Sequence, residues 1–277
     1  MRVNEISKQY KEVDGIKNLY RVAGESGFEA ISYPSDAFTK TESENQGFWA
    51  QARLAAIMRV LKLNRQSEMV EVGAGGGAVC VALAQARYSV FAIEPHLSGA
   101  TEIARNGVDV LCGFLEDAKF PNKSVPNFGV FDVIEHLPDP GAMLTEMLRT
   151  LDDDGALYIT VPVGQWLWGS LDEVLGHQRR FSRKGLCHLL EQNGFTPIHQ
   201  EFLFLCLVPL AWLTRALPYK LRGRRSTVGE ISDQLAPSRL VNSISSLILK
   251  IEAGISRLIP LPYGLSLLVV ARKKSNY

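Results

Sequence analysis

The stretch from Met69 to Ala84 constrains the fold of this chain more than any other. It reads Met-Val-Glu-Val-Gly-Ala-Gly-Gly-Gly-Ala-Val-Cys-Val-Ala-Leu-Ala, with a glycine cluster between two apolar runs. The pattern predicts a buried strand, a tight turn and the start of a buried helix. Gly73, Gly75 and Gly77 remove side chains where the backbone turns sharply and a ligand lies close to it. The stretch therefore predicts a ligand-binding α/β fold.

Two acids decide which ligand suits this turn. Gly73, Gly75 and Ala78 match the G-x-G-x-x-G/A dinucleotide fingerprint, in which a helix N-terminus faces a pyrophosphate. Glu71 would repel a pyrophosphate and suits a ligand with cationic groups. Glu94 ends a second apolar run about 20 residues after the turn, where a carboxylate accepts hydrogen bonds from ribose hydroxyls. The alternative role for Glu94 is an acid that favours the start of the following helix.

These features resemble the class I S-adenosylmethionine-dependent methyltransferases. The segment from Phe131 to Pro140, Phe-Asp-Val-Ile-Glu-His-Leu-Pro-Asp-Pro, adds a third signature. It is similar to the segment after the fourth strand of ubiquinone-biosynthesis-type O-methyltransferases. The resemblance covers residues from about Phe48 to Phe204 and the end of the chain. It implies S-adenosylmethionine as the cofactor and methyl transfer to a hydroxyl of a small, lipid-linked or glycan-linked metabolite.

Hydrophobic patterning predicts alternating strands and helices. Strands are expected near 68–72, 89–93, 109–112, 128–133 and 156–161, and helices near 77–86, 97–105, 140–150 and 183–193. The run 152–155, Asp-Asp-Asp-Gly, is expected to be a turn. The alternation implies a parallel sheet with helices on both faces. The resemblance adds an antiparallel pair at 196–205 and 265–272, which makes a Rossmann-like, mostly parallel, seven-stranded sheet.

Residues 206–260 exceed what this fold needs. We expect a helical insertion there, before the last strand, while 1–205 and 261–277 form the cofactor-binding domain. An apolar run at 202–213, too short to span a bilayer, precedes basic residues, and apolar residues then recur at helical spacing. Three interpretations remain open: a lid over the substrate, a homodimer interface, or a peripheral membrane contact. The basic residues are Lys220, Arg222, Arg224 and Arg225, and the recurring apolar residues are Leu240, Ile244, Leu247, Ile248, Ile251, Ile255 and Leu258.

The resemblance also implies which residues bind the cofactor. Glu71 is expected to meet its amino end and Glu94 its ribose. Glu116 or Asp117 is expected to contact the adenine, because Phe114 stands where many relatives have aspartate. Phe131 and Asp132 are expected beside the methionine portion, although Phe131 is equally suited to the core. The full predicted set is Glu71, Gly73, Ala74, Gly75, Gly77, Glu94, Pro95, Glu116, Asp117, Phe131 and Asp132.

Catalysis requires alignment of the methyl group and removal of a proton from the acceptor. His136 is a candidate base, because an imidazole titrates near neutrality; the alternative is a histidine that caps its loop. Asp172 and His177 are further candidates for a base or for orienting the substrate. Glu135 is expected to orient His136, contact substrate or help hold a divalent ion. No complete set of metal ligands is evident, so no metal site is predicted.

Further residues are predicted to bind the acceptor. Arg179 and Arg180 suit a phosphate or carboxylate, or form a salt-bridged hinge. Trp168, with its neighbour Trp166, suits a stacking wall or a loop anchor. Trp49 is predicted to cover the methionine end of the cofactor, with a packing anchor as its alternative, and Arg53 is placed to pair with the cofactor carboxylate.

Composition bounds the remaining possibilities. The net charge of +1 provides no field that would attract nucleic acid. The four cysteines are scattered through apolar segments, which predicts reduced thiols in a cytoplasmic protein. The open membrane interpretation of 206–260 would place that protein at the periphery of a membrane. Two rival functions remain at this point. One is an NAD-dependent oxidoreductase, and the other is a non-catalytic scaffold that retains the cofactor fold.

Overall fold

The chain forms one mixed sheet flanked by helices. The structure, a computed structural model, describes residues 2–13, 16–21, 47–222 and 239–274. Within them the sheet has nine strands in the order β1-β2-β5-β4-β3-β6-β7-β9-β8. The strands are β1 (Lys11–Glu12), β2 (Leu19–Arg21), β3 (Glu68–Val72), β4 (Ser89–Ile93), β5 (Asp109–Leu111), β6 (Val125–Phe131), β7 (Leu151–Pro162), β8 (Phe195–Leu203) and β9 (Ser266–Lys273).

Helices connect most of the strands. They are α1 (Phe48–Leu63), α2 (Ala78–Gln85), α3 (Leu97–Arg105), α4 (Pro140–Thr150), α5 (Ser170–Val174), α6 (Arg183–Gln192), α7 (Val208–Ala211), α8 (Leu217–Arg222) and α9 (Arg239–Ser256). A π-helical turn, Trp212–Ala216, joins α7 to α8. Several boundaries carry local signals. Asp139 caps α4 by accepting from the Gly141 N–H, and Pro140 stands in the first turn of that helix. Ser182 caps α6 by accepting from the Gly185 N–H.

The seven strands predicted from the sequence form a contiguous block of this sheet, from β5 to the edge strand β8. The strands from β3 to β7 run parallel, and β9 lies antiparallel between β7 and β8. The chain passes from β3 to β4 on one side and returns to β6 on the other. This change of direction opens a crevice at the carboxyl ends of β3 and its neighbours, which is where such sheets bind ligands. The Rossmann-like fold class is confirmed.

The N-terminal segment adds two strands to the predicted seven. β2 pairs in parallel with β5, with Leu19 opposite Val110, and β1 pairs with β2. Val3, Ile6 and Leu19 are buried. Three separate apolar residues in a polar stretch carry no periodic signal, so the sequence pattern does not reveal this extension.

The prediction of a turn at 152–155 is wrong in its detail. These residues belong to β7, which begins at Leu151. Val125 pairs with Leu151, but Asn127 pairs with Ala156, so the intervening part of β7 bulges out of register. Three consecutive exposed aspartates explain the bulge, since their side chains all reach water there.

The insertion before the last strand is helical in the part that the structure describes. Helix α9 docks through Leu249, which is buried, and through the Asn242 side chain, which accepts from the Phe48 N–H at 2.8 Å. Glu252 accepts from the N–H groups of Phe204 and Cys206, both at 2.7 Å. The predicted apolar stripe instead faces solvent. Its exposed members are Leu240, Ile244, Leu247, Ile248, Ile251, Ile255 and Leu258.

Two further points concern the insertion. Arg224 and Arg225 lie outside the described residues. Among the described helices, none has the length and apolarity needed to cross a bilayer.

Candidate active site

The glycine turn forms the floor of the crevice. Gly73, Gly75 and Gly77 have φ values of 71°, 56° and 87°, in the left-handed region that side chains disfavour. A Cβ on Gly73 would lie 2.7 Å from the Val133 side chain. Ala74, between the first two glycines, is buried. The turn therefore brings the backbone of 73–77 to the crevice with little side-chain cover.

Glu71 is buried beneath this turn. It is 3% exposed, and its Oε2 atom has no hydrogen-bond partner among the residues that the structure describes. Burial raises the pKa of Glu71 to about 8, an effect that the charge of Arg53 opposes and that of Glu94 reinforces. A buried acid with an unused oxygen suits a cationic ligand group, which would stabilise the ionised form.

Glu94 ties the turn to the second strand of the crevice. Its carboxylate accepts from the Gly75 N–H at 2.6 Å, from the His96 N–H at 2.9 Å and pairs with the His96 ring at 2.9 Å. His96 is the N-cap of α3. The geometry thus includes the helix-start role considered as the alternative for Glu94. A carboxylate has about four lone-pair sites, so Glu94 can still accept a hydrogen bond from a ribose hydroxyl.

Gly99, in the first turn of α3, was missed by the sequence analysis. A Cβ there would lie 2.5 Å from the Gly75 carbonyl oxygen and 3.1 Å from Cγ of Glu94. The absence of a side chain allows α3 to pack directly on the glycine turn. Glycine near the start of a predicted helix is the signal that was available, since helix interiors disfavour it.

The adenine edge of the crevice differs from the expected pattern. Asp117 accepts from the Phe114 N–H at 2.7 Å and so closes its own loop. Glu116 is exposed, and Leu115 is buried. Phe114 is 40% exposed at the end of β5, where an aromatic face suits stacking on a base. Pro95 is half-buried, and its carbonyl lies 3.8 Å from the Cys112 Sγ.

The methionine side of the crevice is organised by Asp132 and Arg53. Asp132 has φ of 56° just after β6, accepts from the Thr160 hydroxyl at 3.1 Å and forms an ion pair with Arg53. The Nε atom of Arg53 is buried and has no hydrogen-bond partner in the segments that the structure describes. Phe131 belongs to the buried core beside Met69 and Tyr158. The predicted contact between Arg53 and the cofactor carboxylate stays a prediction, and in the structure Arg53 pairs with Asp132.

Three predicted residues from two loops meet beside Asp132. His136 and His177 contact edge to face with ring centroids 4.8 Å apart, and His177 Nε2 lies 4.0 Å from Oε1 of Glu135. Ligand atoms of the three residues all lie within 4.8 Å of one another. The sequence separated Glu135 and His136 from His177 on different loops, so it gave no ligand set.

Burial sets the protonation of this group. Glu135 is fully buried, and within the described part of the chain neither of its carboxylate oxygens has a hydrogen-bond partner. Burial and the nearby charge of Asp132 raise its pKa well above the ordinary value. Burial and the neighbouring His177 lower the pKa of His136 to about 4, against contributions from Asp132 and from backbone groups of Gly176 and Leu175.

Asp172 organises the loop that carries His177. It pairs with His177 Nδ1 at 2.8 Å, accepts from Nε of Arg180 at 2.7 Å and accepts from the Gly169 N–H at 2.9 Å. Burial opposes ionisation, but these hydrogen bonds outweigh it and hold the pKa of Asp172 below its ordinary value. Arg179 donates to the Pro138 carbonyl at 2.8 Å. Both arginines predicted to bind an anion therefore already have protein partners.

Arg215, in the π-helical turn of the insertion, is a site residue that the sequence analysis missed. Burial and the charge of Arg180 lower its pKa, against the charge of Asp172. Within the part of the chain that the structure describes, Arg215 makes no hydrogen bond or salt bridge. Its backbone lies close to Gly169, where a Cβ would be 3.4 Å from the Arg215 carbonyl oxygen. The insertion thus contributes a second guanidinium to the Asp172 cluster.

The tryptophans predicted to line the site have packing roles. Trp49 contacts Phe204, with ring centroids 3.9 Å apart. Trp166 donates to the Tyr263 hydroxyl at 2.9 Å, and their rings are 5.8 Å apart. Trp168 is half-buried after the turn Gln165–Leu167. These contacts favour the anchor interpretation for Trp49 and Trp166.

Comparison with known proteins agrees with this geometry. Residues 43–200 match the model of the methyltransferase domain family, and the chain belongs to that family. Its cofactor is S-adenosylmethionine, and it is an S-adenosylmethionine-dependent methyltransferase of class I. The oxidoreductase and scaffold alternatives are therefore set aside. No curated protein matches the chain.

Solved structures share the fold at low sequence identity. An S-adenosylmethionine-dependent methyltransferase from Thermotoga maritima is 17% identical, with 86% of this chain and 95% of that chain covered and a TM-score of 0.55. A Haloferax volcanii methyltransferase, in complex with the Trm112 activator, is 18% identical, with 89% and 100% covered and a TM-score of 0.56. A Burkholderia thailandensis 1,6-didemethyltoxoflavin-N1-methyltransferase with bound S-adenosylhomocysteine is 16% identical, with 91% and 93% covered and a TM-score of 0.50.

Proposed function

We propose that this enzyme methylates a hydroxyl group of an acidic acceptor, bound between the 163–180 loop and the insertion. The observation that carries this proposal is the charge balance around Asp172. Two guanidinium groups, Arg180 and Arg215, approach one ionised carboxylate, and Arg215 has no partner among the described residues. A phosphate or carboxylate on the acceptor would pair with Arg215 and restore the balance.

The histidine cluster supports a hydroxyl as the methyl acceptor. Methyl transfer is an in-line displacement at the sulfonium methyl, which releases a neutral thioether, so the acceptor oxygen must lose a proton. His136 and His177 lie beside the end of β6, next to the expected methionine end of the cofactor. Asp172 holds His177 by one ring nitrogen and leaves the other directed towards Glu135. The acceptor hydroxyl would therefore lie against this histidine pair when it loses its proton.

A screen of hydroxylated phosphates and carboxylates tests this assignment by following formation of S-adenosylhomocysteine. For an acceptor found in this way, Arg215→Gln should raise KM at least tenfold and leave cofactor affinity unchanged, because one charge-assisted bond contributes about 1.5–3 kcal/mol. Arg105→Gln, which removes an exposed guanidinium on α3, is the matched control. An unchanged KM in Arg215→Gln, or turnover of uncharged acceptors only, would contradict the proposal.

We further propose that the exposed stripe of α9 contacts an anionic lipid surface. Apolar side chains of α9 that face solvent include Leu247, which is 59% exposed, and Ile251, which is 55% exposed. Lys250 on the same helix and Lys220 in α8 are both exposed. Glu252, the one acid in the described part of 206–260, is occupied by backbone N–H groups. Apolar anchors with basic neighbours suit the headgroup region of an anionic bilayer.

Vesicle sedimentation tests this contact. The protein should sediment with phosphatidylglycerol vesicles and much less with phosphatidylcholine vesicles, and the double variant Leu247→Ser/Ile251→Ser should stay in the supernatant. Glu191→Ser, on the exposed side of α6, is the control. Equal recovery of wild type and double variant with anionic vesicles would contradict the proposal. A shift from dimer to monomer in the double variant, without vesicle binding in wild type, would favour a homodimer face instead.

A further inference from the structure

We propose that Glu135, His136 and His177 bind a divalent transition-metal ion at the acceptor side of the crevice. Their ligand atoms all lie within 4.8 Å of one another, and the three side chains come from the turn after β6 and the loop after α5. Two imidazoles and one carboxylate are a recognised donor set for such ions, and three protein ligands leave positions open for substrate.

Each histidine ring has the kind of hydrogen-bond partner that orients a metal-binding histidine. His177 is fixed through Nδ1 by Asp172 at 2.8 Å, which leaves Nε2 facing Oε1 of Glu135 at 4.0 Å. His136 interacts with the backbone of Gly176 and Leu175. Metal-bound histidines nearly always donate their second ring nitrogen to a carboxylate or a backbone carbonyl. Both partners of that kind are present here.

The carboxylate supplies the independent observation. Glu135 is 0% exposed, and both of its oxygens lack a hydrogen-bond partner among the described residues. A buried carboxylate without partners is costly, and it is normally satisfied by hydrogen bonds, by a paired charge or by a metal ion. The available cations are committed elsewhere, since Arg53 pairs with Asp132 and Arg180 with Asp172. A divalent ion would pair with the carboxylate and take one ring nitrogen from each imidazole.

The donor set selects the class of ion. Imidazole nitrogen suits zinc, iron, cobalt and nickel, whereas magnesium and calcium prefer oxygen ligands. Held by Glu135, His136 and His177, such an ion would act as a Lewis acid and would lower the pKa of an oxygen bound to it. The histidines would then serve as ligands, and the acceptor hydroxyl would lose its proton more readily. This catalytic role rests on the proposed function, but binding of the ion does not.

Metal titration of the purified, chelator-treated protein tests the proposal directly. Wild type should bind one equivalent of Co²⁺, seen as visible absorption of the bound ion, and Zn²⁺ should displace it. His177→Ala and Glu135→Gln should each weaken Co²⁺ binding at least tenfold, and Asp172→Asn, which removes only the charge that holds His177, by about 10–100-fold. His188→Ala, on the exposed face of α6, is the matched control and should bind as wild type does.

Cofactor binding separates this inference from the proposed function. Calorimetry with S-adenosylhomocysteine shows whether each variant is folded and retains the cofactor crevice. Stoichiometric Co²⁺ binding that survives in His177→Ala and Glu135→Gln, or no binding by wild type, would overturn the metal site while leaving methyl transfer intact. Loss of Co²⁺ binding in variants that still bind S-adenosylhomocysteine as wild type does would support it, whether or not an acceptor has been found.

Discussion

At the scale of single residues, the cofactor side of the crevice depends on two buried acids with different surroundings. The Glu94 carboxylate accepts hydrogen bonds from the N–H groups of Gly75 and His96. One oxygen of Glu71 has no hydrogen-bond partner among the described residues. Glu71 therefore contributes an unbalanced charge when it ionises. The ligand-free protein should be less stable in the pH range where this ionisation occurs, and a cationic ligand group should reverse that effect.

The first prediction concerns the pH dependence of stability through Glu71. The pKa of Glu71 in the folded chain is about 8, above the ordinary 4.5. The contribution of its protonated carboxyl to the free energy of unfolding is therefore fully present below about pH 4.5 and is lost as the pH rises to 8. Glu71→Gln should therefore gain stability relative to wild type over this range, by on the order of a few kcal/mol at pH 8. Urea unfolding at several pH values measures the difference. The exposed Glu191→Gln should show no such trend.

The residue types of this site were visible in the sequence, but several of their partners were not. The sequence indicated Glu71 and Glu94 because both stand at the ends of recognisable strands. Arg215 carried no signal, because a lone arginine in an apolar stretch is indistinguishable from a surface residue. The ion pair between Arg53 and Asp132 was likewise not visible in the sequence, because it depends on how α1 lies across the sheet.

At the scale of elements, α3 packs directly on the glycine turn because Gly99 has no side chain. Gly99→Ala would place a Cβ 2.5 Å from the Gly75 carbonyl oxygen, and α3 would have to move away from the turn. We expect a loss of about 1–3 kcal/mol in unfolding free energy, as for overpacked cores, together with weaker binding of S-adenosylhomocysteine. Urea unfolding and calorimetry measure the two effects.

Gly254→Ala in α9 is the matched control for this substitution. A Cβ there meets nothing within 4 Å, so alanine should stabilise the helix by about 0.5–1 kcal/mol. Cofactor binding unchanged in Gly99→Ala would show that the close approach of α3 to the turn is unimportant for the crevice.

Elements with strong local signals were predicted to within a few residues. Apolar periodicity marks the helices, and short apolar runs mark the central strands. The apolar stripe of α9 was also recognised, but three orientations were open for it. The structure turns that stripe to solvent and docks the helix through Leu249 and Glu252. Periodicity identifies an amphipathic helix without showing what its apolar face contacts.

At the scale of the whole molecule, the cofactor crevice joins segments from much of the chain, so occupancy should stabilise the entire fold. S-adenosylhomocysteine at about 100 times its Kd should add about 2.7 kcal/mol to the free energy of unfolding. NADH at the same concentration should have no effect, because Glu71 lies beneath the turn that would face a pyrophosphate. Differential scanning fluorimetry compares the two ligands, with Glu94→Ala expected to abolish the shift. Stabilisation by NADH would contradict the cofactor assignment made here.

The sequence by itself determined the strand and helix order, the glycine turn and the two acids of the cofactor crevice. These features depend on local periodicity and on short-range spacing, which survive in any arrangement of the chain. Only the tertiary structure decided that Glu135, His136 and His177 meet, that the charge of Asp172 acts on Arg215, and that the α9 stripe faces outward. Such contacts join residues far apart in the chain, and they form only when loops at the carboxyl ends of the strands converge over a common sheet.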